Sequence, residues 1–192
     1  MIADKDRSGW FGASDVDYIV GNWGTKSFVK WWLTKIDIYH SHFENISMNA
    51  GTHKEHQILE FIGATETDKQ IKIPELKLRV NLDGNTEDTI YEVKTYAYEK
   101  GFKCPLKYKR QVWVQMFASG LRKAYVTAYG LTDADYRNYF LPIDADRLQK
   151  IPIEYNEQFI KTEFLPRITY LAECLEKGIL PKLEDFNVWQ KQ

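Results

Sequence analysis

This sequence of 192 residues has two cysteines, no long apolar run and no large excess of either charge. The two cysteines, Cys104 and Cys174, form no CxxC pair, so they cannot make an iron–sulfur or structural zinc site unaided, and we expect reduced thiols. No stretch approaches a transmembrane span, and the first seven residues contain no apolar signal-peptide core. These absences predict a cytoplasmic protein with no membrane partner.

The formal net charge of −1 does not by itself favour a polyanionic partner, but the charge is unevenly distributed. Residues 94–110 hold six basic residues against one acidic residue, which is a local net charge of +5. Such a segment attracts a polyanion such as nucleic acid. The alternative is a solvated loop and helix start, which is the usual role of a short basic run.

The order of helix and strand patterns predicts one domain, residues 1–192, in which a sheet of the α/β (α+β) class is covered by helices. The first helix is expected to begin at an N-cap, Ser14, with Asp17 in the capping-box position, and to end at about Val20. Further helices are expected at 25–36, from 51 to 61 or 62, and from Pro105 to near Gly120. The last is expected at 157–177, with a kink or interruption at Pro166. Strands are expected near 70–82, 89–96, 124–129 and 150–155, and a polar loop at 37–48.

Two carboxylates and one lysine are predicted to meet on the first two of these strands. Asp83-Gly84 is expected to open a short hairpin connection, after which Glu92 and Lys94 share one face of the second strand. Carboxylate oxygens suit Mg²⁺ or Mn²⁺, and a neighbouring lysine can position or activate a water for phosphodiester attack. The alternative is a common Asp-Gly turn followed by a solvated strand face.

Two helices carry further candidates. Glu55 falls on the same helical face as Ile58, Leu59 and Ile62, where a carboxylate needs a partner such as a metal, unless it reaches solvent at the edge of the face. The next helix places Lys107, Gln111 and Gln115 on one face. That face can either donate to phosphates or lie exposed to solvent.

Taken in order, these short motifs resemble one family. Gly51-x-x-x-Glu55, Leu82-Asp83-Gly84, Glu92-Val93-Lys94 and Gln111-x-x-x-Gln115-Met116, preceded by the segment from Arg7 to Asp15, are similar to the motifs of the PD-(D/E)xK nuclease superfamily. The resemblance is to the phage lambda exonuclease and YqaJ-type recombination nucleases, and it covers nearly the whole chain. It implies a restriction-endonuclease-like core with a mixed central sheet flanked by helices.

The resemblance also implies roles for particular residues. Asp83, Glu92 and the Val93 carbonyl would bind Mg²⁺, or Mn²⁺, Lys94 would assist the attacking water, and Glu55 would bind or orient a second metal. The residues implied to hold the 5′ phosphate of a DNA end are Arg7, Ser14 and Gln111, with Gln115 on the same helical face. Leu82 departs from the proline usual before the aspartate, and an acid that some members carry further upstream has no clear counterpart except, loosely, Glu75.

The function implied is a metal-dependent 5′→3′ exonuclease that acts on double-stranded DNA ends during phage-type recombination, as a homo-trimer with a single-strand annealing protein of the RecT/beta type as partner. Two alternatives stay open: a structure-specific or restriction-like endonuclease, and a DNA-end-binding module with weak activity. A zinc site built from His40, His42, His53 and His56 is a further alternative, although no cysteine supports it.

Overall fold

The structure is a computed structural model that describes residues 8–39 and 46–191, without the side chains of residues 46–52. The helices are α1 (Val16–Val20), α2 (Lys26–Lys35), α3 (Ile46–Ile62), α4 (Leu106–Ser119), α5 (Asp133–Arg137), α6 (Glu157–Phe159), α7 (Leu165–Lys177) and α8 (Leu183–Trp189). The strands are β1 (Glu66–Ile73), β2 (Leu78–Asn85), β3 (Thr89–Ala97), β4 (Lys123–Leu131) and β5 (Leu148–Pro152). Within these residues no helix has the length and apolarity that crossing a bilayer requires.

The five strands form one mixed sheet in the order β1-β2-β3-β4-β5. Strands β2 and β3 are antiparallel, β3 and β4 are parallel, and β4 and β5 are antiparallel. The parallel pair requires a long crossover between its strands, and α4 provides it. A mixed sheet with flanking helices is the predicted fold class, which is therefore confirmed.

The chain divides into two compact units, neither of which is a single stretch of sequence. Unit 1 comprises Met1–Ser41, Gln70–Val80 and Asn156–Gln192, and unit 2 comprises His42–Lys69 and Asn81–Tyr155. Strands β1 and β2 each begin in one unit and end in the other. The prediction of one domain over 1–192 stays a prediction.

The core of unit 2 lies between α3 and the sheet. Ile58 and Leu59 on α3 pack against Val93 of β3 and against Tyr129 and Leu131 of β4, and all five side chains are buried. The predicted apolar face of this helix is therefore the face that packs on the sheet. Neighbouring residues of a strand point to opposite faces, so Glu92 lies on the other face of β3, where α4 packs.

Unit 1 is held together by stacked aromatic rings. Trp23 stacks on Tyr170 of α7 with ring centroids 5.7 Å apart, and it also contacts Phe28 and Phe186. The aromatic residues on α2, which are Phe28, Trp31 and Trp32, are also buried. Trp32 is completely buried.

Asp15 links the 3₁₀ turn Ala13–Asp15 to helix α2 through hydrogen bonds. Its carboxylate accepts hydrogen bonds from Gly12 N (2.8 Å), Trp31 Nε1 (2.9 Å) and Lys35 Nζ (2.6 Å). Because Asp15 makes the capping bond to Gly12, the prediction that Ser14 caps the first helix with Asp17 is wrong. Ser14 instead lies exposed within a 3₁₀ turn, Ala13–Asp15, that precedes α1.

Three other boundaries also differ from the predictions. The expected strand near 70–82 is two strands, because the 3₁₀ turn Pro74–Leu76 interrupts it. Asp83 and Gly84 lie inside β2, and the chain reverses at Thr86–Thr89, where Thr86 N donates to Thr89 O at 2.8 Å. Helix α3 begins at Ile46, so residues 46–48 are not part of a loop.

Pro166 has the expected disruptive effect on the last long helix. The turn before it, Ile160–Phe164, is π-helical, and α7 then begins with Pro166 in its first turn. Proline cannot donate the backbone hydrogen bond that a continuous α-helix needs at this point, and a wider turn accommodates that loss.

Candidate active site

The hairpin of β2 and β3 brings the predicted acidic pair together. Gly84 pairs with Tyr91, and Asn85 with Ile90, so Asp83 lies beside the segment Glu92–Lys94. Asp83 Oδ2 accepts a hydrogen bond from Val93 N at 2.8 Å. Local strand pairing alone therefore gathers Asp83, Glu92, Val93 and Lys94, all within unit 2.

Glu92 is the most tightly held of these residues, with 0% of its surface exposed. Its Oε1 accepts from Lys94 Nζ and from Gln111 Nε2 (2.6 Å), and its Oε2 accepts from Gln115 Nε2 (2.5 Å). A buried carboxylate is stable only when it is paired and hydrogen-bonded, and these three donors meet that need.

The amide donors on Glu92 come from the predicted stripe on α4. Gln115 is buried and Gln111 is half-buried, so of the two interpretations of this face, full exposure to solvent is wrong for Gln115. Lys107, the third member of the stripe, is exposed. The role of the glutamines toward a 5′ phosphate stays a prediction, since here both amides donate to Glu92.

Three carboxylates influence one another across the site. Burial, and then the charges of Glu92 and Glu55, raise the pKa of Asp83 well above its ordinary value. Burial and the charge of Glu92 likewise raise the pKa of Glu55, which is half-buried on α3. The site thus concentrates negative charge in a place where water screens it poorly.

Lys94 is the positive group in this cluster. Burial alone would lower the pKa of Lys94, but the charges of Glu92 and Asp83 outweigh burial and raise it. The ammonium also lies 5.1 Å from the ring centroid of Tyr108. Lys94 is therefore a fixed cation next to both carboxylates.

A divalent cation fits the remaining acceptors of this site. Among the described residues Asp83 Oδ1 accepts no hydrogen bond, and Glu92 Oε2 accepts only one. Gln115 Oε1 is buried beside them without a hydrogen-bond partner, which is an acceptor that a hydrated cation can satisfy. Hard oxygen donors of this kind match Mg²⁺ or Mn²⁺.

The cluster is not a closed cage of acidic side chains. Within residues 8–39 and 46–191 no three His, Cys, Asp or Glu side chains are arranged so that they could hold one ion. The two carboxylates that lie together are therefore Asp83 and Glu92, Glu55 acts on them through its charge, and the Val93 carbonyl stays a predicted ligand. The metal-binding roles of all four residues stay predictions.

The sequence analysis missed two residues near this site. Asp68 of β1 is a fourth acidic group, whose charge further raises the pKa of Glu55. No motif marks Asp68, because the strand that carries it was expected to begin only near residue 70. Tyr108 lies within the basic run 94–110, where lysines alternate with aromatic residues. That alternation is the sequence pattern that could have indicated a role for Tyr108.

The other predicted binding residues lie elsewhere or outside the described residues. Arg7 is outside them, and Ser14 belongs to unit 1, so their role at a DNA end stays a prediction. His53 stacks on Tyr139 with ring centroids 5.0 Å apart, and His56 Nε2 lies 3.9 Å from Asp68 Oδ2. The other two histidines of the zinc alternative, at positions 40 and 42, are also outside the described residues.

Comparison with known proteins gives matches at the level of structure alone. No family model matches the sequence, and no curated protein matches it. Among solved structures, the alkaline exonuclease LHK-Exo from Laribacter hongkongensis, in complex with dAMP, has a TM-score of 0.68 at 21% identity and covers 90% of each chain.

Two further exonuclease structures are similar. A phage-related exonuclease from Haemophilus somnus 129PT has a TM-score of 0.66 at 11% identity, over 88% of this chain and 94% of that one. A putative exonuclease from Eubacterium rectale has a TM-score of 0.54 at 8% identity, over 94% and 88%. The chain therefore shares the fold of these exonuclease structures, which agrees with the fold that the sequence resemblance implies.

Proposed function

We propose that this chain is a metal-dependent exonuclease that degrades one strand of duplex DNA from its ends in the 5′→3′ direction. The observation that carries the proposal is the buried Glu92, which is held by Lys94 and two glutamines beside Asp83 within an exonuclease fold. A buried acidic cluster in which the pKa of Asp83 is strongly raised, next to a lysine, is typical of a catalytic or metal-binding site.

The proposed chemistry is phosphodiester hydrolysis. A divalent cation held by Asp83, Glu92 and the Val93 carbonyl would supply a Lewis acid and an activated water. Lys94 places a positive charge where negative charge develops on the phosphoryl oxygens, and it orients the water through its remaining donor protons. Gln111 and Gln115 hold the Glu92 carboxylate in one orientation, so that its Oε2 faces the proposed cation.

The test is digestion of linear duplex DNA in Mg²⁺, in Mn²⁺ and in EDTA. The Asp83→Asn and Glu92→Gln variants should lose activity by at least about 100-fold, which is the upper end of the effect of changing groups that only surround a metal. Asp88→Asn is the matched control, because Asp88 is an exposed carboxylate at the turn of the same hairpin. Digestion by the double variant at the wild-type rate would reject this site.

Substrate choice separates the proposal from its alternatives. An exonuclease digests linear duplex and leaves covalently closed circles intact, whereas a restriction-like endonuclease cuts the circles. A DNA-end-binding module retains ends and cuts neither substrate. Comparison of 5′-phosphorylated with 5′-hydroxyl ends tests the 5′→3′ direction, and Arg7→Ala should reduce the preference for phosphorylated ends more than basal cleavage.

Two partners complete the proposal. The enzyme acts as a homo-trimer, and it hands single-stranded product to an annealing protein of the RecT/beta type during recombination. A cyclic assembly would concentrate the basic segment 94–110 around DNA, although the net charge is only −1. Light scattering at micromolar concentration should report about three chains per particle. A monomer both free and on DNA would contradict the ring.

A further inference from the structure

A row of aromatic rings runs from the candidate active site along the end of β3 and the start of α4. Tyr108 lies beside Lys94, the Phe102 ring is 6.3 Å from Tyr108 at an interplanar angle of 7°, and the Tyr96 ring is 5.2 Å from Phe102. We call Tyr96, Phe102 and Tyr108 the aromatic row. All three residues are half-buried, so none of them is closed off from solvent.

Exposed lysines flank the aromatic row. They are Lys100, Lys103, Lys107 and Lys109. In the part of the chain that the structure describes, none of these four ammonium groups forms an ion pair with a carboxylate. Lys107 Nζ lies 5.0 Å from the Tyr108 ring centroid, so Lys107 contacts the aromatic row directly, and the other three lysines lie close to it in sequence.

This combination fits a particular class of partner. Lysines without acidic partners attract phosphates, and aromatic rings bind the flat faces of bases. An acidic peptide would use the lysines but leave the ring faces unused. In duplex DNA the bases stack on each other, so their faces are covered.

We propose that the aromatic row and its flanking lysines bind single-stranded DNA immediately next to the catalytic cluster. This inference rests on the proposed nuclease function for the identity of the polyanion. In that setting the row holds the strand whose phosphate lies at Lys94 after that strand has separated from its complement. Stacking is tolerant of sequence, because every base has a flat face.

The test is fluorescence anisotropy in EDTA, where no cleavage occurs, with a labelled oligothymidylate and with a blunt hairpin duplex of the same charge. Phe102→Ala should weaken binding of the single strand by at least about 5-fold while affecting the duplex much less. Phe102→Tyr should restore it, because the aromatic face returns. The matched control is Phe140→Ala, which removes an aromatic side chain that is 80% exposed but lies outside the row.

The lysines give a second measurement. Lys100→Ala combined with Lys103→Ala should reduce the slope of log affinity against log salt for the single strand by roughly 0.7 per lysine. Lys123→Ala serves as the control, since Lys123 lies at the start of β4 and pairs with Asp88. Poly-glutamate should compete only weakly with oligothymidylate.

The outcomes separate this inference from the proposed function. Three results would each overturn the single-strand site. The first is that Phe102→Ala binds oligothymidylate with wild-type affinity, and the second is that it loses as much affinity for the duplex as for the single strand. The third is that poly-glutamate competes fully with oligothymidylate. Binding is measured without metal, so a chain that binds through the row yet digests no DNA would refute the nuclease and leave the row intact. Circular dichroism of each variant checks that it folds.

Discussion

At the scale of single residues, Lys94 is the group that best separates binding from chemistry. It contacts Glu92 and the Tyr108 ring, and it does not belong to the proposed metal ligands. Lys94→Ala should lower single-turnover cleavage about 100- to 1000-fold, as expected when a positioned cation near developing charge is lost. Metal affinity, measured by calorimetry, should change much less. Lys123→Ala is the control, and an equal loss in both variants would contradict the assignment.

Asp135 is a second residue whose charge state matters, and it lies in unit 2 away from the hairpin. It is buried and accepts from Arg147 Nη1 at 2.5 Å and from Thr132 N at 2.9 Å, and Lys54 Nζ lies 3.3 Å from its other oxygen. Burial alone would raise the pKa of Asp135, but these hydrogen bonds lower it from 3.8 to about 2.

The lowered pKa of Asp135 predicts acid sensitivity. A carboxylate whose pKa is lower in the folded state stabilises the fold above its unfolded pKa, and this contribution of about 2 kcal/mol is lost as pH falls through the folded value. In urea unfolding, the difference in free energy between wild type and Asp135→Asn should shrink by about 1 kcal/mol between pH 6 and pH 3. Asp133→Asn, exposed in the same helix, should show no such trend. A constant difference would contradict the prediction.

The acidic pair could be predicted from sequence because it depends on local structure only. Asp83, Glu92 and Lys94 lie on two strands joined by a tight turn, and alternation then fixes which side chains share a face. The contacts of Gln111 and Gln115 with Glu92 could not be predicted, because they depend on how α4 lies across the sheet. The influence of Asp68 on Glu55 could not be predicted either, because it results from the packing of β1 and α3.

At the scale of elements, Gly84 belongs to a correctly identified motif, but the hairpin turn predicted at that motif lies elsewhere. The Asp-Gly pair was expected to open the hairpin connection, but Gly84 lies within β2, and its lack of a side chain serves packing. A Cβ added there would meet Leu59 Cδ2 at 2.4 Å and Ala64 Cβ at 3.2 Å. Glycine at this position therefore lets α3 approach the strand beside Asp83.

Gly84→Ala should therefore destabilise the protein by about 1–3 kcal/mol, the usual cost of overpacking a core. Cleavage should fall as well, because the strand must shift next to Asp83. The control is Gly24→Ala, where an added Cβ meets only Asn22 Oδ1 at 3.3 Å. Urea unfolding measures both variants, and equal free energies for Gly84→Ala and wild type would mean that Leu59 moves aside without cost.

At the scale of the whole molecule, metal binding should be visible as stability. A ligand that binds only the folded state stabilises it by about 2.7 kcal/mol at a concentration of 100 Kd. For a chain of 192 residues this corresponds to a rise in Tm of roughly 5 to 10 °C. Calorimetry in Mg²⁺ or Mn²⁺ against EDTA should show the rise in wild type and in Asp88→Asn. The same rise in Asp83→Asn would place the metal elsewhere.

The division into discontinuous units has a consequence for the order in which the molecule is made. Unit 2, with the whole catalytic cluster, is complete once Tyr155 has been synthesised, whereas unit 1 begins first but needs Asn156–Gln192 to finish. Until α7 and α8 arrive, Trp23 lacks the rings of Tyr170 and Phe186 on which it packs. The nascent chain thus exposes a tryptophan-rich surface until α7 and α8, residues 165–189, have been translated. That interval is when a chaperone, or a second nascent chain, has access to it.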